Sequence, residues 1–192
     1  MTIGVWGDSI TFGACDSKGL GWPGRLRKEL ALDDYSHLYN FGICGETSED
    51  LLKRFKIEAE AIKPSDIIFA IGINDSKYPG NDETNKVSLA NYEKNLEDLI
   101  NQAKNFTKGI TIVGAIQVND AWRSMSGSRF FNEEIQKYTA VMKDVADRHG
   151  LRFIDMSDVL DTTHDLADGL HPNAEGYQKM FEAIKTQVIF EA

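Results

Sequence analysis

The chain has 192 residues, 42% apolar and 27% charged, a length and balance that suit one domain with its own core and no need of disulfide or metal staples. Lys and Arg number 21 against 30 Asp and Glu, a net charge of −9, which argues against nucleic acid as a partner and against stable association with anionic membranes. The two cysteines, Cys15 and Cys44, form neither a disulfide framework nor a CxxC zinc pair, and with no leader-like start and no apolar run near the ~20 residues of a membrane span, a cytoplasmic location is expected.

Residues 3–6 read as a short buried strand that runs straight into Gly7. Residues 22–32 read as a helix, with Trp22, Leu26 and Leu30 spaced to share a core-facing side. A second strand is expected over 37–43. Thr47-Ser48-Glu49-Asp50 resembles a capping-box start, followed by Leu51, Leu52, Phe55 and Ala59 at helical spacing until Pro64. Residues 66–71 are continuous, apolar and short, as a strand buried on both faces must be. A long helix is expected over 88–106, a strand over 109–116, a helix over 129–149 and a strand over 152–156. A closing helix spans 173–190, with Asn173 as its N-cap.

Strands and helices alternate throughout, without repeats, low-complexity stretches or a linker. Alternation of this kind predicts a parallel sheet covered by helices on both faces, formed by residues 1–192 as a single domain. Two loops, 74–87 and 117–128, are longer than connection requires. Loops at strand C-termini are where α/β proteins carry their chemistry.

Four blocks stand out. In Gly7-Asp8-Ser9-Ile10-Thr11-Phe12-Gly13, a serine between glycines just past a strand can project its hydroxyl from the sheet edge. Gly45 lies at a strand-to-helix junction, where backbone N–H groups point outward and can stabilise an oxyanion. Asn74, just after the most buried strand, offers a side-chain amide that could serve as another oxyanion donor. In Asp168-Gly169-Leu170-His171-Pro172, the spacing lets the Asp168 carboxylate reach one imidazole nitrogen of His171 and leaves the other for a serine hydroxyl. Each block alone also fits a blander role: a capped βα turn, a turn glycine, an Asx-turn and a helix start.

Taken together and in this order, the blocks resemble the GDSL/SGNH hydrolase family, named for Ser, Gly, Asn and His in successive blocks. The departure is Ile10, where the family name has Leu. The resemblance implies a flavodoxin-like three-layer α/β/α sandwich with a central parallel sheet of about five strands. It implies a serine ester hydrolase that needs no cofactor and no metal. Ser9 would be nucleophile, His171 general base and then acid, and Asp168 the residue that orients His171. The oxyanion hole would comprise the Ser9 N–H, the Gly45 N–H and the Asn74 amide. The expected substrate is a small-molecule ester, short-acyl or O-acetyl. A lysophospholipase or acyl-thioesterase for longer chains is the alternative, and a catalytically silent ligand-binding module is the rival of another class.

The remaining polar residues admit plainer readings. His149 ends a helix, His37 begins a strand, and His164 stands beside Asp165 as a rival pair. Asp8 and Asp75 are read as acceptors bracing loops, with no spacing that marks a metal site. Cys44 is read as a small packing residue. Trp122, Arg123 and Met125 in the second long loop are candidates to line a substrate pocket, Trp122 and Met125 foremost, or else to pack that loop on itself.

Overall fold

A computed structural model describes residues 1–30 and 36–188. Its strands are β1 (Thr2–Gly7), β2 (His37–Gly42), β3 (Asp66–Ala70), β4 (Gly109–Val113) and β5 (Arg152–Ile154). They form one sheet in the order β2-β1-β3-β4-β5, and every adjacent pair is parallel. The helices are α1 (Ser9–Phe12), α2 (Gly21–Glu29), α3 (Ser48–Ile62), α4 (Ile73–Ser76), α5 (Leu89–Ala103), α6 (Asn132–His149) and α7 (Ala174–Lys185). The flavodoxin-like sandwich expected from the sequence is therefore present. None of the described helices is long and apolar enough to cross a membrane.

Strand side chains alternate between two cores. Ile3, Val5 and Ile68 point to one face, where Trp22 and Leu26 of α2 meet Tyr177, Met180, Phe181 and Ile184 of α7. Trp6, Ile67, Phe69, Ile110 and Ile112 point to the other, against α3, α5 and α6. Trp6 stacks on Phe41 at 4.9 Å and meets Phe55 edge-on. A buried ion pair, Arg25 to Asp16 at 2.5 Å, joins α2 to the loop after α1. The same guanidinium donates to the Ala174 carbonyl, so it also holds the start of α7.

Several boundaries differ from the sequence reading. The helix expected over 129–149 begins only at Asn132. Arg129 instead bridges Tyr78 in extended backbone, and its guanidinium lies over the Tyr78 and Phe131 rings. Helix α5 stops at Ala103 rather than Phe106. The short helices α1 and α4, four residues each, were not expected. Ala31 and Leu32 of the second expected element, and Ile189 and Phe190 of the last, lie outside the described residues.

The chain passes from β1 to β2 on one side and to β3 on the other. Connections that leave β1 and β3 in opposite directions open a crevice at the C-terminal ends of those strands. Ser9 follows β1 and Asn74 follows β3, so both stand at that crevice.

Candidate active site

Asp8 fixes the turn out of β1. It N-caps α1, its carboxylate accepting the Ile10 N–H at 2.9 Å. Ser9 is then the first residue of a helix, and its N–H has no carbonyl one turn back to receive it. The serine is nearly buried, at 6% exposure.

His171 arrives from the far end of the chain. The 165–173 segment is folded tightly: the Ala167 N–H donates to the His171 carbonyl, the Asn173 N–H donates to the Asp165 carbonyl, and the Asn173 side chain caps α7. Inside this hook one Asp168 oxygen accepts the Leu170 and His171 N–H groups at 2.9 and 2.7 Å. The other Asp168 oxygen lies 2.8 Å from His171 Nδ1. His171 Nε2 lies 3.0 Å from Ser9 Oγ. A carboxylate on Nδ1 makes that nitrogen the protonated one and leaves Nε2 with a lone pair facing the hydroxyl. Burial raises the Asp168 carboxyl, but the two N–H groups and the imidazole outweigh it and hold the carboxyl below the usual range. It is thus ionised wherever the imidazole works as a base.

Asn74 sits in α4, directly after β3, at 5% exposure. The turn into α4 passes through Gly72 at φ 143°, where a side chain would collide with the Tyr92 ring. The Asn74 Oδ1 accepts from Lys77 Nζ at 3.1 Å. Its Nδ2 is buried and has no hydrogen-bond partner, a costly state for a donor unless a ligand supplies an acceptor. Gly45 adopts φ 82° in the exposed turn after β2, a conformation open to glycine at little cost.

Two buried carboxylates lie beneath. Asp75 accepts the Ser48 N–H at 3.0 Å and the Ser48 hydroxyl at 2.5 Å, tying α4 to the start of α3. Burial pushes Asp75 up to about 7 despite those bonds. Burial likewise lifts Asp8 to about 6, opposed by the Ile10 N–H. Both act as braces, as the sequence suggests. A capping contact of Thr47 with Asp50 at 2.9 Å adds to the start of α3.

The 117–131 loop closes over the hook. The Asn119 N–H donates to the Gly169 carbonyl at 2.8 Å, and Trp122 meets the His171 ring edge-on at 6.5 Å. Met125 is fully exposed. The loop's polar serines, Ser124, Ser126 and Ser128, bond among themselves and turn the segment outward there. Arg123 donates to the Asp120 and Trp122 carbonyls and so packs the loop itself.

Other expectations also need amendment. His164 pairs with Asp161 rather than Asp165, because Asp165 is buried and held by Lys179 at 2.7 Å. Cys44 is exposed, not a packing residue. No local spacing marks a metal site, yet the fold brings Cys15 to the hook, with its Sγ 4.0 Å from Asp168 Oδ2. Cys15, Asp168 and His171 place ligand-type atoms within 4.8 Å of one another. The carboxylate and imidazole of that group are already engaged with each other. Lys77 escaped the sequence reading too, although its position three residues after Asn74 is a helical-turn spacing that could have flagged it.

The arrangement supplies a hydroxyl, a base, an ionised orienting acid and an unfilled donor, which are the parts needed for acyl transfer. The chain is 33% identical over 122 residues to a multidomain esterase of Ruminococcus flavefaciens, a match that covers 61% of this chain and 14% of that protein. It is 28% identical over 163 residues to an acetylxylan esterase of Geobacillus stearothermophilus, covering 79% of this chain and 72% of the relative. The crystal structure of that acetylxylan esterase superposes with a TM-score of 0.79 at 23% identity over 99% of this chain and 94% of the other. A lipase/acylhydrolase of Enterococcus faecalis does so with a TM-score of 0.77 at 25% identity over 100% and 98%. Residues 5–179 match the GDSL-like lipase/acylhydrolase family, and with that match the chain belongs to this family and is an ester hydrolase.

Proposed function

We propose that residues 1–192 work as one catalytic domain that removes short acyl groups, O-acetyl groups above all, through a Ser9–His171–Asp168 triad. The observation that carries the reading is the continuous chain from Ser9 Oγ through His171 to Asp168, at 3.0 and 2.8 Å. Ser9 Oγ attacks the ester carbonyl carbon while His171 Nε2 takes its proton. The oxyanion that forms is received by the Ser9 N–H, the Gly45 N–H and the otherwise unpartnered Asn74 Nδ2. The tetrahedral adduct collapses to an acyl-Ser9 ester, and His171 returns the proton to the departing alcohol. Water, deprotonated by His171, then releases the acid and restores Ser9.

One observation favours a short acyl group. The similar protein from G. stearothermophilus is named an acetylxylan esterase. Solved forms of that protein include catalytic mutants at a serine, a histidine and an aspartate, with the aspartate three residues before the histidine. Asp168 and His171 have the same spacing.

The test is hydrolysis of p-nitrophenyl esters from acetate to palmitate, and of acetylated xylo-oligosaccharides, by the wild type and by Ser9→Ala. Acetate should turn over fastest, and Ser9→Ala should lose at least ~10⁴-fold in kcat. Preference for palmitate would overturn the short-acyl reading, and an active Ser9→Ala would remove Ser9 as nucleophile.

A further inference from the structure

The segment after β3 carries a cation that the reaction scheme above does not use. Lys77 follows α4 directly and is half-buried, and its Nζ donates to Asn74 Oδ1 at 3.1 Å. Its backbone is fixed independently of its side chain. The Lys77 carbonyl accepts the Lys86 N–H at 2.8 Å, and the neighbouring Ser76 carbonyl accepts from Asn85 Nδ2 at 2.7 Å. The ammonium is therefore presented to Asn74 from a pinned loop.

A side-chain amide has an acceptor end and a donor end of nearly the same shape. Turned one way, Asn74 offers Nδ2 to a developing oxyanion. Turned the other way, it offers Oδ1 and repels that oxyanion. A lysine ammonium has donors and no acceptor, so it is compatible with Oδ1 and clashes electrostatically with an NH₂. The other end of the same amide, Nδ2, is buried without a partner. Nothing among the described hydrogen bonds to Asn74 other than Lys77 selects the orientation.

We propose that Lys77 is a positioning residue for the oxyanion hole, setting the orientation of the Asn74 amide and strengthening its Nδ2–H as a donor. The positive charge on Oδ1 draws electron density from the amide nitrogen, so the hydrogen bond to the oxyanion tightens as charge develops. The proposal rests on Asn74 acting as an oxyanion donor. It extends that reading by naming the group that makes Asn74 competent.

The experiment is a double-mutant cycle on p-nitrophenyl acetate with Asn74→Ala, Lys77→Met and the pair, alongside Lys77→Arg and thermal melts of each. Asn74→Ala should cost ~10²–10³-fold in kcat. Lys77→Met should cost about 10-fold in kcat with KM within about twofold, since the interaction matters in the transition state and not in binding. The double variant should be no slower than Asn74→Ala alone, because Lys77 acts only through that amide. Lys77→Arg, also a pure donor, should recover most of the lost rate. Should Lys77→Met not fold, Lys77→Gln, which retains a neutral donor, is expected between Lys77→Met's predicted rate and wild type. Wild-type kcat in the Lys77 variants, losses that multiply in full, or a change confined to KM would overturn the proposal while leaving Asn74 in place. Wild-type kcat in Asn74→Ala would instead overturn the oxyanion reading on which it rests.

Discussion

The site has two tiers whose carboxylates behave in opposite ways. At the rim, Asp168 accepts two backbone N–H groups and an imidazole, its side chain is 34% exposed, and its carboxyl is held low. Beneath, Asp75 also accepts a backbone N–H and a hydroxyl, yet it is buried and pushed up to about 7. Both are well supplied with donors, so donors alone do not decide the charge. Access to water does, together with the like charge of Asp8 beside Asp75. The charge that the proposed triad requires sits where solvent shares the cost of holding it, and the buried acids serve as braces between helix starts.

Asp168→Asn should break the upper tier with the largest effect. An asparagine keeps an acceptor for the Leu170 and His171 N–H groups but no longer fixes the protonated Nδ1. A loss of ~10³–10⁴-fold in kcat is expected, with the melting temperature little changed. A loss below tenfold on p-nitrophenyl acetate would place the orienting role elsewhere. The lower tier should answer in stability instead. Asp75→Ala strands the Ser48 N–H and hydroxyl in a buried site, at a cost of about 2–3 kcal/mol by denaturant unfolding. If that substitution left stability intact and abolished turnover, the division into tiers would fail.

The comparison sharpens further with pH. The Asp8 carboxyl is raised from 3.8 to about 6 in the folded chain. The folded state therefore binds a proton more tightly than the unfolded one. The stability this contributes is complete below about pH 4 and is lost as pH rises to 6. Asp8→Asn retains an acceptor for the Ile10 N–H and cannot ionise. Its melting temperature should fall less than the wild type's between those limits, by several degrees. Equal slopes in the two proteins would show that Asp8 is ionised when folded.

These tiers differ in how far the sequence reveals them. The rim was legible because its residue types are chemically distinctive and its key contact is local: Asp168 and His171 lie three residues apart. The strands were legible because Ile67, Ile68 and Phe69 leave no room for another reading. The helices α1 and α4 were not, since four residues are too few to show a period. The late start of α6 was hidden as well. Arg129 is held in extended backbone by bridges to Tyr78 and Arg123, and its guanidinium lies over the Tyr78 ring, partners that no helical pattern after residue 129 announces. Cys15 reaches Asp168 across 153 residues, a contact no local pattern encodes.

The smallest effects should come from the loop outside both tiers, and there the two pocket candidates part company. Trp122 packs over Gly169, where an added Cβ would lie 2.9 Å from the indole, and it also meets Phe130 and the His171 ring edge-on. Its removal loosens one wall of the imidazole's seat without touching a hydrogen bond of the triad. Trp122→Ala should therefore lower kcat by about 3- to 10-fold, because a ring freed to tilt spends less time aligned with Ser9. Met125 stands in solvent on the same loop, so Met125→Ala should leave kcat and KM on p-nitrophenyl acetate within about twofold. The contrast is informative because the two residues are neighbours in sequence and share the loop's backbone. Equal losses in both variants would mean that the loop as a whole closes over substrate. A loss in Trp122→Ala alone would mean that the loop acts on the chemistry through the one side chain that touches His171.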